Sequence, residues 1–242
     1  MTIRTRMLSL LPFALLSFAV CVFAQAPQAT PPPPSAPRTV QFPKPVEKTL
    51  SNGLRVVVVQ RSEMPLVSAQ LLIKSGGEVD PSDLSGVADI TAALLTRGTT
   101  TRAATQIAEQ IEALGGSIGS SAGWDSSGAT VGVTSSRINS AMEILADVIR
   151  NPAFKDEEIE RLRRQYLNNL KVSLGQPGAI ARFAAARVVY RDAPYGHPLS
   201  GTPESLPRIK RDDIVRIHSM FYRPDNAILV IGGDMTPENG FA

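Results

Sequence analysis

Cysteine is almost missing from this sequence of 242 residues, in which Cys21 supplies the only thiol. Cys21 lies inside an apolar N-terminal run that we expect to be removed from the mature protein. The mature chain then has no thiol, which excludes disulfide bonds, thiolate metal sites and a cysteine nucleophile. Its stability must therefore come from the packing of side chains.

Histidine is also scarce, because His197 and His218 are the only two in the chain. They lie 218 − 197 = 21 residues apart, whereas a zinc-peptidase helix needs two imidazoles one turn apart with a carboxylate beside them. Ser200 lacks the Gly-x-Ser-x-Gly pattern of a nucleophile elbow, and the glycines of residues 115–123 lack the spacing of a phosphate-binding loop. The residues alone thus predict no catalytic site, and each histidine is expected to be structural or exposed.

Aromatic and charged residues are few as well. Aromatic residues make up 5% of the chain, with Trp124 as the one tryptophan, and charged residues make up 19%. The formal net charge is +3, and removal of a segment that contains Arg4 and Arg6 leaves 3 − 2 = +1. Without a basic run or interleaved aromatic residues, nucleic acid is not an expected partner. The hydrophobic share of 43% is enough for a globular core.

The N-terminus has the pattern of a secretory signal peptide. Arg4 and Arg6 precede an apolar run over residues 8–23, and small Ala24 follows as the expected cleavage position of a signal over residues 1–24. The run has 16 residues and is interrupted by Pro12, so it is short for a membrane helix of about 20 residues. We therefore predict an exported protein, in a bacterial periplasm, with no stable membrane span after cleavage.

A proline-rich segment separates this signal from the folded part of the chain. Residues 25–45 contain four consecutive prolines and predict an extended, solvated tether. Cys21 is interpreted as part of the signal rather than as a lipoprotein acceptor, because Val20 before it is bulkier than the Gly, Ala or Ser of such sites. The folded domain is predicted to start near Val46.

Strand and helix patterns alternate from there to about residue 234. Period-2 and β-branched runs predict strands, and apolar residues at helical spacing predict helices. The predicted strands are a short one before Asn52-Gly53, then 56–59, 67–74, 117–122, 129–134 and 227–232, and the predicted helices are 86–96, 103–114, 139–149, 156–174, 179–190 and 212–221. This order predicts an α+β class, with one domain over residues 46–234.

The order of several motifs resembles the N-terminal half of the insulinase/pitrilysin family of zinc metallopeptidases. The motifs are "LSNGLRVVV", "SGVADITAALLTRGT", "IAEQIEALGGSI", "NPAFKDEEIERLRRQ" and "YGHPLSGTPESLPRIKRDDIVRIHSMFYRPDNAILVIGGDM". The resemblance implies a single insulinase-like half-domain, with a mostly antiparallel sheet packed with helices. It also implies that residues 235–242 are the truncated start of a linker to a missing second half.

Active members of that family carry His-x-x-Glu-His on the helix after Gly-x-Ala, and the glutamate activates a zinc-bound water. Alignment at Gly86 and Gly98-Thr99 puts Asp89, Ala92 and Ala93 at the three positions. The family's third zinc ligand is a glutamate of the long charged helix, and Asn168 and Asn169 stand near that place. The resemblance thus implies a chain without the standard ligands and with no bound cofactor, which is inactive alone.

Inactive members of the family pair with a zinc-bearing homologue and close around a chamber that holds the peptide. The resemblance therefore implies a zinc-bearing insulinase-family homologue and a peptide as partners. Peptides pair with an edge strand in that family, and the serine-rich stretch with Ser120, Ser121 and Trp124 is the expected edge. Trp124 has an alternative interpretation, as a cover of the hydrophobic core.

Two other functions stay open from the sequence. The chain is an active zinc metalloendopeptidase if an atypical site uses Asp89 with His197 or His218. It is a structural or assembly subunit if it serves as inactive relatives do in respiratory complexes. The absence of a general base favours the non-catalytic, peptide-binding subunit over both.

Overall fold

The structure is a computed structural model that describes residues 43–242; the predicted signal peptide, Cys21 and nearly all of the tether lie outside the described residues. The strands in this part of the chain are β1 Val46–Thr49, β2 Arg55–Gln60, β3 Leu66–Ile73, β4 Ser117–Ala122, β5 Ser127–Thr134 and β6 Ala227–Gly233. The strands match the predicted ones closely, although β5 begins two residues before the predicted start. Gly53 has a φ of 87° in the turn between β1 and β2. An Asn-Gly pair favours this backbone conformation in a tight turn between strands.

All six strands form one sheet in the order β1-β2-β6-β3-β5-β4. Only β2 and β6 run parallel, and the other neighbouring pairs are antiparallel. The last strand in sequence therefore lies between the second and the third. This leaves β1 and β4 as the two edges of the sheet, and it confirms the predicted α+β class with a mostly antiparallel sheet.

The helices of the described residues are α1 Val87–Leu94, α2 Ala104–Ala113, α3 Ile138–Arg150, α4 Asp156–Leu174, α5 Pro177–Tyr190, α6 Arg211–Phe221 and the short α7 Pro237–Gly240. Their bounds lie within a few residues of the predicted ones, and α7 was not predicted. None of the helices in residues 43–242 combines the length and the apolar character that a bilayer crossing requires.

The hydrophobic core lies on one face of the sheet. Alternate residues of the strands, such as Val67, Ala69 and Val131, are buried there against helices. The apolar side of α3 packs on β5 from this face. Burial of each Val, Ile or Leu side chain stabilises the fold by roughly 1.5–3 kcal/mol.

The opposite face of the sheet mixes small and polar residues with half-buried apolar ones such as Val57 and Val230. Alternation along the strands puts Ser68, Gln70, Thr130, Gly132 and Gly232 on that face. These residues are exposed or half-buried. The sheet is thus covered by helices on one side only among the described residues.

The packed region continues past the predicted domain boundary at residue 234. Met235 and Phe241 pack against the core cluster, and a Cβ added at Gly240 would lie 2.6 Å from the Val58 side chain. The domain bounds of residues 46–234 stay a prediction. The interpretation of residues 235–242 as the start of a linker remains a prediction.

Candidate functional site

α1, the helix predicted to correspond to the family's zinc-motif helix, starts at a tightly packed glycine. Gly86 has φ of 94°, and a Cβ there would lie 2.7 Å from the backbone nitrogen of Gly201. Only glycine fits this close approach without strain. The Ser205 hydroxyl also donates a hydrogen bond of 2.7 Å to the Ser85 carbonyl. The segment after His197 thereby positions the first turn of α1.

Asp80 caps the N-terminus of α1 from the preceding loop. The amides of Gly86 and Ala88 donate hydrogen bonds of 2.6 and 2.9 Å to its carboxylate. Burial raises the pKa of Asp80 to about 7. The nearby charges of Asp89 and Glu78 also raise this pKa, whereas the hydrogen bonds from the two amides lower it. A carboxylate at a helix N-terminus stabilises the unpaired amides of the first turn.

Three residues of α1 are the predicted counterparts of the family's zinc motif. Asp89 and Ala93 are half-buried one turn apart on the same side of the helix, and Ala92 is completely buried. The position of the family's general base therefore carries a methyl group packed in the interior.

Asp89 contacts two elements besides its own helix. The Tyr166 hydroxyl of α4 and the backbone amide of Ala122 on β4 both interact with its carboxylate and favour the charged form. Burial is the larger effect and raises the pKa of Asp89 to about 6. Burial, together with the negative charge of Asp89, raises the pKa of the Tyr166 phenol.

The role of Tyr166 was missed at the sequence level. The sequence placed it in the apolar stripe of α4 with Ile159, Leu162 and Leu170, and those three are buried as predicted. Tyr166 is only half-buried, and its hydroxyl end turns to Asp89. Asn168 and Asn169, the predicted third-ligand positions, are exposed on the same helix. The signal that could have found Tyr166 is its phenol, the one polar group in the stripe.

The residues at this place do not fit a zinc ion. They offer one carboxylate, one phenol and two exposed amides, whereas structural and catalytic zinc sites use imidazole, thiolate and carboxylate ligands in sets of three or four. Within residues 43–242, no group of three or more His, Cys, Asp or Glu side chains is arranged to hold a metal ion. We therefore assign no metal chemistry to Asp89.

Both histidines have structural contacts. The His218 ring nitrogen Nε2 lies 2.8 Å from the Ile149 carbonyl oxygen, and the ring stacks on Tyr222 with centroids 4.8 Å apart. Burial lowers the pKa of His218 despite this hydrogen bond. The His197 ring lies 5.2 Å from the Trp124 ring. Neither histidine forms an ion pair with Asp89 in the described part of the chain, and the atypical catalytic site stays a prediction.

The predicted peptide-binding residues lie on and next to an edge of the sheet. Ser120 and Ser121 belong to the edge strand β4, with Ser121 exposed and the Ser120 hydroxyl 3.3 Å from that of Thr96. Trp124 lies in the turn after β4, outside the core cluster, with its ring 5.1 Å from the Tyr195 ring. A Cβ added at the buried Gly77 would lie 3.1 Å from the Trp124 ring, and both interpretations of Trp124, as a peptide contact and as a cover of the core, stay predictions.

The raised pKa values of Asp80 and Asp89 predict that the protein is more stable at mildly acidic than at neutral pH. The pKa values of Asp80 and Asp89, raised to about 7 and about 6, mean that the folded state binds these protons more tightly than the unfolded chain. The free energy of unfolding therefore falls as the pH rises from about 4 to about 7, by roughly 1–2 kcal/mol per carboxyl between about pH 5 and pH 7.

Urea unfolding across that pH range measures the effect. The Asp89→Asn variant is expected to have a flatter profile, because it removes one of the two titrating groups. A profile with the same slope as that of the unchanged protein would contradict the role of Asp89 in it.

Comparison with known proteins adds to this geometry. Residues 55–203 match the profile of the insulinase family, peptidase family M16. An uncharacterised zinc protease of Rickettsia bellii is 28% identical over 189 residues, which cover 78% of this chain and 46% of that protein. The α subunit of the mitochondrial processing peptidase of Neurospora crassa is 30% identical over 192 residues, which cover 76% of this chain and 32% of that protein.

Solved structures share the fold. The crystal structure of a peptidase M16 inactive domain from Pseudomonas fluorescens superposes with a TM-score of 0.77 at 25% identity, and covers 81% of this chain and 48% of that one. A protease from Helicobacter pylori superposes with a TM-score of 0.78 at 23% identity, over 83% of this chain and 49% of that one. The chain spans half or less of the length of these relatives. On the family profile and this shared half-domain, the chain belongs to the insulinase family, peptidase family M16.

Proposed function

We propose that this chain is an exported, non-catalytic member of the insulinase family, which pairs with a zinc-bearing homologue and helps to enclose and bind peptides. The observation that carries the proposal is Ala92. It stands at the position of the family's general base, and it is fully buried in the core. A methyl group cannot accept the proton of an attacking water, and loss of a general base alone costs about 10²–10⁴ in rate.

The edge strand β4 supports the peptide-binding part of the proposal. An exposed strand edge binds an extended peptide through main-chain hydrogen bonds, which depend little on the peptide's sequence. Ser120 and Ser121 present small hydroxyl side chains along that edge, and Trp124 adds an aromatic surface at its end. Export is supported by the N-terminal pattern of Arg4 and Arg6 before the apolar run of residues 8–23.

Pairing with a second half-domain is the other part of the proposal. In the relatives and in the solved inactive domain, the matched half-domain makes up less than half of the chain. In the proposal, that second half comes with a homologue that contains the intact His-x-x-Glu-His motif.

Metal content and activity, measured together, test this function. The chain without residues 1–24 is purified alone and in combination with an insulinase-family homologue from the same genome that contains His-x-x-Glu-His. We expect zinc far below one ion per chain and no peptide hydrolysis for the chain alone. A stable complex should hydrolyse peptides faster than the homologue alone, because the chamber is then complete.

Each other outcome has a definite meaning. One zinc per chain with hydrolysis by the chain alone would overturn the proposal in favour of an active peptidase. In that case, alanine replacements of His197 and His218 would show whether either ring takes part. A stable complex with unchanged hydrolysis would favour the structural or assembly role.

A further inference from the structure

The free edge of β4 exposes the main-chain groups of alternate residues. The Gly123 amide donates a hydrogen bond of 2.7 Å to the Ser126 carbonyl, which closes the β4–β5 hairpin. Hydrogen-bonded pairs alternate from there along an antiparallel ladder. With the register Ala122↔Ser127 and Ser120↔Ala129, the amide and carbonyl groups of Ile118, Ser120 and Ala122 point away from β5. These are the groups that an added strand would pair with.

Asp89 lies beside one of these groups. α1 packs against β4, and the Asp89 carboxylate interacts with the Ala122 amide, which points away from β5 in the ladder. The carboxylate thus lies beside β4 on the side where an added strand would run. No other described group hydrogen-bonds the backbone amides or carbonyls of Ile118 and Ser120 on this side. The open part of the edge consists of these two residues, and Asp89 marks its end.

The Asp89 carboxylate lacks a cationic partner. In residues 43–242, no Lys, Arg or His nitrogen forms an ion pair with it. The positive charge of Arg97 acts on the neighbouring Tyr166 phenol, but Arg97 itself is exposed. A carboxylate that is partly removed from water gains from a cation more than a fully exposed one does.

These contacts also define a direction for a bound peptide. β4 runs from Ile118 to Ala122, so a peptide that adds antiparallel has its N-terminal end beside Ala122 and Asp89. A parallel peptide would bring its C-terminal end there, and a free C-terminal carboxylate would be repelled. The charge of Asp89 therefore favours the antiparallel direction.

We propose that Asp89 is a specificity residue, which binds a positive charge at the N-terminal end of an extended peptide paired antiparallel with Ile118 and Ser120 of β4. The charge is either the peptide's α-amine or the side chain of a Lys or Arg at its first residue. This inference rests on the proposed peptide-binding function. It gives the first position of the lost zinc motif a role in recognition.

Three pentapeptides test the proposal. All have an amidated C-terminus and the sequence Thr-Val-Thr-Val after the first residue. They begin with a free-amine norleucine, an N-acetyl-lysine or an N-acetyl-norleucine. Binding to the chain without residues 1–24 is measured by calorimetry and by the fluorescence of Trp124, the one tryptophan. We expect the first or second peptide to bind about 5- to 10-fold more tightly than the third, and the tighter of the two identifies the source of the charge.

Variants assign the effect to Asp89. Asp89→Asn keeps a hydrogen-bond acceptor for the Ala122 amide and should make the three affinities equal. Glu112→Gln is the matched control, because Glu112 is an exposed acid on α2, which also packs against β4, and it should leave the preference unchanged. Ser120→Pro removes an outward amide of the edge and should weaken all three peptides at least 10-fold.

The possible failures are distinguishable. The unchanged protein could bind all three peptides equally well, and Ser120→Pro could abolish that binding. This result would overturn the role of Asp89 but leave peptide binding at β4 intact. A preference for cationic peptides that survives Asp89→Asn would overturn it too. If neither readout detects binding of any peptide, this inference is overturned, and so is the proposal that the isolated chain binds peptides. The proposals on zinc and on pairing are then judged by their own measurements.

Discussion

Replacement of Ala92 by glutamate is expected to lower the free energy of unfolding by about 3 kcal/mol. Ala92 is completely buried on the side of α1 that packs in the core. A longer side chain there costs roughly 1–3 kcal/mol from overpacking alone, and an unpaired carboxyl group adds a desolvation cost of similar size. Restoring the general base of the family by itself should therefore damage the fold instead of restoring a site.

Ala93→Glu is the matched control for this prediction. Ala93 is the next residue of the same helix and is half-buried, so the introduced carboxylate reaches water. We expect a loss below about 1 kcal/mol for it. Urea unfolding at neutral pH compares the two variants. The loss for Ala92→Glu should be smaller at about pH 5, where the introduced carboxyl is more often neutral.

A stable Ala92→Glu protein would contradict the view that the core has closed over this position. It would mean that the space for a general base still exists.

Asp147→Ala is expected to destabilise the protein by about 3–5 kcal/mol, because it leaves a partly buried arginine without its counter-charge. The Arg102 guanidinium lies 2.5 Å from the Asp147 carboxylate, and only 10% of the Asp147 side chain is exposed. The Thr99 hydroxyl and the Asn151 amide donate further hydrogen bonds of 2.7 and 2.9 Å to it. These contacts join the loop after α1 to the end of α3.

Burial opposes the charge of Asp147, but the hydrogen bonds of Asn151, Thr99 and Arg102 prevail and hold its pKa below the ordinary value. A lowered folded-state pKa stabilises the protein above the unfolded-state pKa of about 4, and this stabilisation is lost as the pH falls below it. Asp147 therefore acts in the opposite direction from Asp80 and Asp89. The pH of maximum stability should lie in the mildly acidic region, above the pH range in which Asp147 becomes ionised and below the range in which Asp80 and Asp89 do.

Two controls make the Asp147 prediction specific. Glu63→Ala removes an exposed partner of Arg61, with both side chains about 70% exposed, and should leave the stability almost unchanged, because water screens an exposed ion pair. Replacement of both Asp147 and Arg102 by leucine should cost less than Asp147→Ala alone, since no charge then stays unpaired. Guanidinium unfolding measures all three. A loss of the same small size for Asp147→Ala and Glu63→Ala would show that this network contributes nothing to stability.

Much of the architecture was predictable from local patterns. The periodicity of α3, with Ala141, Ile144, Leu145 and Val148 on one side, predicted both the helix and its buried face, and the structure confirms both. The turn at Gly53 and the alternation in β3 were equally clear. Such features depend on neighbours within a few residues, for which the sequence carries a direct signal.

The pairing of distant segments was not predictable in this way. Periodicity shows that residues 227–233 form a strand, but it does not show that β6 lies between β2 and β3 and parallel to β2. The polar contacts of the site could not be predicted for the same reason, because they join segments that are distant in sequence. Tyr166 looked like a core residue of α4, and nothing within its own helix indicated that its hydroxyl meets Asp89.

The sequence by itself determined the order of strands and helices and the buried faces, and it predicts that Asp89, Ala92 and Ala93 replace the family's zinc motif. Tertiary structure alone decided that Ala92 is enclosed in the core, and that Asp89 lies between the Tyr166 hydroxyl and the Ala122 amide at an edge of the sheet. The physical reason is the range of the interactions. Helix and strand patterns arise from residues close in sequence, whereas burial, edge formation and the charge environment of a carboxylate depend on segments far apart in the chain.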